Sequence, residues 1–274
     1  MEKTFETPRP ISLYVELGAG SLAVAATEVT QTTVEVSGKD AEEVTVEQRG
    51  EQITVIAPQR RSGFFGGGHN EYRVHVTMPS GSAIASKLGS ADVSVTGRVG
   101  ETSLRAGSGD VRMEEVTDNA DIQTGSGDVQ VDSVGGDLRV KAGSGDVQLG
   151  QVHGDASVST GSGDVTITYT AGSVEVKSGS GDIQLRDAHE DVSLSTASGD
   201  LTVRTLHRGR LRANNVSGDI EVGVPSGVPV WTDITTMTGD VSSNLVGAGQ
   251  PVDDQDYIEL RARTVSGDIH LEQL

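Results

Sequence analysis

The stretch Gly143-Ser144-Gly145-Asp146-Val147-Gln148-Leu149, with its copies on either side, decides the fold. Ser-Gly-Asp ends at Asp110, Asp128, Asp146, Asp164, Asp182 and Asp200, in successive steps of 18 residues. It returns at Asp219, one residue late, and again at Asp268. Degenerate copies end at Asp92 (Ser-Ala-Asp) and Asp240 (Thr-Gly-Asp). Self-similarity at a short fixed period marks a repeat architecture.

The columns around the Asp state what the repeat builds. One residue after it come Val111, Val129, Val147, Val165, Ile183, Leu201 and Ile220. Three residues after it come Met113, Val131, Leu149, Ile167, Leu185, Val203 and Val222. Polar residues such as Arg112, Gln130, Gln148 and Thr166 stand between them. That alternation is a strand with one buried face. Nine residues after each Asp it restarts more weakly, with Gly136-Asp137, Gly154-Asp155 and Glu190-Asp191 preceding Leu138/Val140, Ala156/Val158 and Val192/Val194. Strands this short pair with their equivalents one repeat along, advancing ~4.8 Å per rung. The predicted fold is all-β: a parallel β-helix, or β-solenoid, of 18-residue coils, each made of two nine-residue halves. Small residues at Ala106, Thr124, Ala142, Thr160, Ser178 and Thr196 suit a tight corner. The glycines that follow most of them, Gly107, Gly125, Gly143, Gly161 and Gly179, are expected to take backbone conformations that a Cβ resists.

Regular coils are expected over 83–223, within one continuous domain capped at both ends. Residues 1–82 read as divergent coils and hairpins forming an N-terminal cap, because a bare strand edge invites polymerisation. Residues 224–274 break the period with Pro225, Pro229 and Pro251, carry the single Trp231, and close on Val265-Ser266-Gly267-Asp268-Ile269. They read as a last rung plus a cap.

Composition narrows the function. The chain has 36 Gly, 3% aromatic residues and no Cys, which fits a thin core of β-branched side chains. Without cysteine there is neither a disulfide framework nor a thiolate zinc site. The net charge of −19 opposes binding to nucleic acid or to an anionic membrane. It fits a monomer or weak homo-oligomer with an unidentified protein partner. Met1-Glu2-Lys3-Thr4-Phe5-Glu6-Thr7-Pro8 is not a signal peptide, and no segment has the ~18 apolar residues of a membrane span. A cytoplasmic location without membrane insertion is the expectation.

The tandem Gly-Ser-Gly-Asp-Val units resemble the bacterial toast-rack family of adhesin-like β-strand repeats. The opening from Thr7-Pro8-Arg9-Pro10-Ile11 to Leu17-Gly18-Ala19-Gly20 is similar to that of soluble actinobacterial members. So is the ending, Leu260-Arg261-Ala262-Arg263-Thr264 to Ser266-Gly267-Asp268-Ile269. The resemblance implies a β-helix whose biochemical role is not defined, and it carries no catalytic residues over.

Three places in the sequence can hold chemistry. Stacked rungs put Asp128, Asp146, Asp164 and Asp182 in one column, where each pair repels by roughly 0.9 kcal/mol in water before screening. Hydrogen bonds from each Asp's own corner N–H groups, or Ca²⁺ bridging adjacent rungs, would offset this. Compared with the calcium-binding motif Gly-Gly-x-Gly-x-Asp, the residue between Gly and Asp is missing, and one Asp plus one Ser per corner is sparse for a cation needing about six oxygens. Second, His153, His189 and His207 each lie seven residues after a repeat Asp. His189 and His207 fall on adjacent rungs beside Glu190 and Asp191, a pattern that suits either exposed turns or a transition metal. Third, Arg60-Arg61-Ser62-Gly63-Phe64-Phe65-Gly66-Gly67-Gly68-His69 joins an Arg pair, two Phe and flexible glycines. Arg60, Arg61, Phe64, Phe65 and His69 are thus candidate partner contacts, unless the Phe pair folds down as a core plug.

No Walker loop or nucleophile elbow occurs. Outward Arg112, Arg139, Lys141, Lys177, Arg186 and Arg204 do not cluster as in a polysaccharide-cleaving β-helix. The leading reading is a noncatalytic scaffold or protein-interaction module without a cofactor. The alternatives are a Ca²⁺-stabilised β-roll and a carbohydrate-binding or carbohydrate-active β-helix.

Overall fold

Val, Leu and Ile alternate with polar residues over runs of five to seven because each run is one strand of a rung. The computed structural model describes residues 1–58, 71–247 and 256–274. Apart from one 3₁₀ turn, Ala41–Glu43, its regular elements among these residues are all β-strands. The protein is a parallel β-helix. It divides into two compact units, Met1–Gly136 and Asp137–Leu274.

In the first unit, the long strands Ser12–Thr27 and Ala83–Val99 run parallel, with Leu13 opposite Ile84 and Leu22 opposite Val93. Regular rungs follow: Thr102–Ser108 pairs with Ala120–Ser126, and Val111–Val116 with Val129–Val134, each 18 residues apart. On the other side, Ser12–Thr27 meets Gln52–Ile56 and then Tyr72–Pro79. Both are covered by antiparallel strands, Thr45–Arg49 on the former and Gln31–Ser37 on the latter, and Glu2–Glu6 is laid on Gln31–Ser37. This reversal of direction puts hairpins where a further parallel rung would otherwise add.

In the second unit one sheet climbs through Leu138–Ser144, Ala156–Ser162, Val174–Ser178 and Val192–Ser195 in 18-residue steps. The other climbs through Val147–Val152, Val165–Thr170, Ile183–Ala188 and Leu201–Leu206 in the same register. Side chains facing inward, among them Ile167, Leu185, Leu194 and Val203, are at most 1% exposed. Corner hydroxyls close the turns: Thr160 and Thr196 donate to the carbonyls of Ser162 and Ser198 at 2.9 and 3.1 Å.

The two glycines of each corner do different jobs, and the expectation drawn for the first of them needs correction. Positive φ belongs to the second glycine, at +112° for Gly163 and +126° for Gly181. The first glycine has an ordinary φ and is required instead by close approach. A Cβ on Gly179 would meet the Gly161 carbonyl oxygen at 2.6 Å.

The last rungs depart from chain order. Gly209–Asn214 and Ile220–Val224 pair not with Val230–Thr238 and Val241–Ser243 but with the C-terminal strands Ile258–Ser266 and Ile269–Gln273. Val230–Thr238 and Val241–Ser243 then pair onto the far side of those strands. The expected last rung is therefore inserted beneath the segment expected to precede it. Burial explains the order. Ile258, Leu260, Ala262 and Ile269 are fully buried between neighbours. The outermost strand places Val230, Thr232, Ile234 and Thr236 in register with Ile258, Leu260, Ala262 and Thr264, so the apolar column is diluted with hydroxyls at its end.

Candidate functional site

The Asp column is a ladder of backbone hydrogen bonds. In the second unit Asp146 Oδ1 accepts from the Asp164 N–H at 2.9 Å, Asp164 from Asp182 at 2.9 Å, and Asp182 from Asp200 at 2.8 Å. The series continues from Asp200 to Asp219, Asp268 and Asp240, following the order of the rungs in space. In the first unit, Asp92 accepts from Asp110 and Asp110 from Asp128. The acceptor thus serves the next rung, not its own corner as the turn chemistry of Asp suggests. The second corner repeats the device where it keeps an Asp: Asp137 accepts from Asp155, and Asp155 from Ser173. The positive φ of the preceding glycine belongs to the same corner, and a Cβ on Gly181 would meet the Gly163 carbonyl oxygen at 2.3 Å.

The histidine column makes a different arrangement. His189 and His207 hold equivalent places one rung apart, their N–H groups donating to Thr170 O and Ala188 O at 3.3 and 2.9 Å. Their imidazoles stack with centroids 4.2 Å apart and planes 16° apart. The rung below carries Ala171 in this column, and the gap is spanned by Tyr169, whose ring lies 5.2 Å from His189 and 6.1 Å from His153. The carboxylate at the pair is Asp187, 2.7 Å from His207 Nε2 and 3.5 Å from His189 Nε2. Glu190 and Asp191, the acids adjacent in sequence, turn to Arg208 and Arg210 instead. The hydrogen bond and charge of Glu190 push the Arg208 guanidinium further up from its ordinary value.

A third feature is apolar and lies at the C-terminal rungs. Among the described residues, every exposed large apolar side chain except Ile56 lies between Val216 and Leu274. Three of them form a column. The Ser217–Ser266 bridge and the Thr238–Ser266 pair set Val216, Val265 and Met237 side by side on consecutive rungs. They are 54%, 44% and 75% exposed. This is the column occupied lower down by Gly161 and Gly179, and then by Ala197. Trp231, half exposed on the outermost strand, stands with its ring 5.4 Å from the Arg261 guanidinium. Among the described residues, Val230–Thr238 has a paired strand on one edge only.

A family model, Toastrack DUF4097, matches residues 11–272. The chain belongs to the toast-rack family. Solved structures with this likeness include one from Bacteroides fragilis (13% identity, covering 100% of this chain and 96% of that one, TM-score 0.38). Another is from Parabacteroides distasonis (13% identity, covering 99% and 96%, TM-score 0.28). Both are described as a "putative adhesin". No curated protein matches the chain.

For this toast-rack chain, the sequence candidates are distributed as follows. Asp128, Asp146, Asp164 and Asp182 are ladder residues. His189 and His207 come together, joined by Asp187. Arg60, Arg61, Phe64, Phe65 and His69 lie outside the described residues. Among the described residues no helix is long and apolar enough to cross a membrane.

The ladder makes a signed expectation. Asp164→Ala removes the acceptor of the Asp182 N–H and should cost about 1 kcal/mol, since water reaches this exposed corner. Asp164→Asn keeps Oδ1 and relieves like-charge repulsion, so it should be neutral or slightly stabilising. Urea denaturation midpoints check both, and an Asn variant as weak as the Ala variant would refute the acceptor role.

Proposed function

We propose that the protein is a noncatalytic scaffold that binds an extended segment of a protein partner at its C-terminal rungs. The observation that carries this reading is the apolar column Val216–Val265–Met237 beside an outermost strand paired on one edge. Exposed apolar side chains gathered in one place mark interaction sites, and a strand with a free edge accepts another by backbone hydrogen bonding. Trp231 adds a large, half-exposed aromatic of the kind enriched in binding hot spots. The regular coils are committed otherwise. Their inward faces form the core, and their Asp columns accept the corner N–H groups.

The double variant Met237→Asp/Val265→Asp tests this. Both positions are exposed, so the far-ultraviolet circular dichroism should match the wild type. Wild-type protein should retain a specific partner from extract of its source cells, and the double variant should lose most of it. The control Gln148→Asp, on an exposed face of a regular rung, should retain it. Equal retention by wild type and double variant would overturn the reading.

A further inference from the structure

Among the described residues, one group of side chains gathers ligand atoms of the types that hold a transition metal. Asp187, His189 and His207 each offer one such atom, and the three atoms lie within 4.8 Å of one another. In a tetrahedral zinc site with bonds of about 2.0–2.1 Å, neighbouring ligand atoms stand about 3.3 Å apart. The observed 2.7 Å from Asp187 Oδ1 to His207 Nε2 and 3.5 Å to His189 Nε2 bracket that spacing. All three side chains are 36–41% exposed, so small rotations can close the remaining difference.

The fold supplies the preorganisation. Parallel rungs set the two imidazoles one above the other, with planes only 16° apart. Tyr169 packs against His189 from the rung below, filling the step that Ala171 leaves open. The nearby charges are balanced elsewhere: Arg208 pairs with Glu190, and Arg210 with Asp191. Asp187 is left facing the histidines, 2.7 Å from one and 3.5 Å from the other.

We propose that Asp187, His189 and His207 bind a divalent transition-metal ion of the zinc class, with water completing its coordination. Two imidazole nitrogens and one carboxylate oxygen suit Zn²⁺, Ni²⁺ or Cu²⁺. They do not suit Ca²⁺, which takes six or more oxygens. The site shares no residue with the apolar column, so it stands or falls separately from the partner-binding reading.

The test is titration of the tag-free protein with Zn²⁺, followed calorimetrically and by thermal melting. One equivalent should bind saturably and raise the melting temperature, because the ion binds the folded state. Ca²⁺ at the same concentrations should do neither. His189→Ala and His207→Ala each remove a ligand and should weaken binding by more than the about 10–100-fold typical of losing an outer-sphere partner. Asp187→Asn should weaken it as well, while His75→Ala, on the strand Tyr72–Pro79 of the other unit, should leave it unchanged. His207→Gln, which can still donate to Asp187, replaces His207→Ala if that variant fails to fold. With Cu²⁺, the electron paramagnetic resonance spectrum should show nitrogen hyperfine structure that is lost in the His189→Ala/His207→Ala double variant. The absence of saturable Zn²⁺ binding, or affinity unchanged in the histidine variants, would overturn the proposal.

Discussion

Gly181→Ala is expected to cost about 3–5 kcal/mol, far more than a routine surface substitution. Two causes act together. The residue sits at φ +126°, a conformation that L side chains rarely adopt. The added Cβ would also meet the Gly163 carbonyl oxygen at 2.3 Å, and that oxygen is backbone of the rung below. Relief requires moving the corner, which weakens the bonds from Asp182 N–H to Asp164 and from Gly181 N–H to Ser198 O. Gly179→Ala, two residues away, makes the informative comparison. It has no positive φ, and the next rung already carries Ala197 in the same column, so its cost should be about 1–2 kcal/mol. Equilibrium unfolding in urea measures both. Equal costs would mean that crowding alone, and not backbone conformation, sets the demand for glycine.

Leu185→Ala should cost about 2–5 kcal/mol. Leu185 is fully buried, in register with Ile167 below and Val203 above, so truncation leaves a cavity between two rungs that their backbone ladders cannot close. Its outward neighbour provides the control. Gln184→Ala should change stability by no more than about 0.5 kcal/mol. The same denaturation experiment separates them, and similar losses at both positions would contradict the one-sided burial of the strand.

Much of this architecture is legible in the sequence, because a parallel solenoid repeats its physics every 18 residues. The step fixes which residues pair. The alternation of Val147, Leu149 and their equivalents fixes which face is buried. Four features escape that logic because they lie between rungs or outside the repeat. The Asp acceptor serves the N–H of the rung above, a partner 18 residues away that local turn chemistry does not suggest. Asp187 sits near the end of Ile183–Ala188 and meets His189 just past that strand, while the sequence-adjacent Glu190 and Asp191 are engaged by Arg208 and Arg210. The order of the last rungs is hidden because the corner sequences at Asp240 and Asp268 look alike. The difference lies in the in-register residues, Val230, Thr232, Ile234 and Thr236 on one strand, none of them buried, against the buried Ile258, Leu260, Ala262 and Thr264 on the other. The apolar column has the same origin. A position held by glycine through the regular coils becomes Ala197, Val216, Val265 and Met237 only when the rungs are placed in their spatial order.

The central claim is that the repeat builds the scaffold while the C-terminal rungs meet the partner. Site-specific photo-crosslinking in the source cells tests it most directly, with a benzophenone amino acid placed at position 237 in one protein and at 148 in another. The expected result is a covalent adduct with a second protein from position 237, lost when Val265→Asp is added, and no such adduct from position 148. Adducts from position 148 alone, or only a dimer of the chain from position 237, would contradict the account.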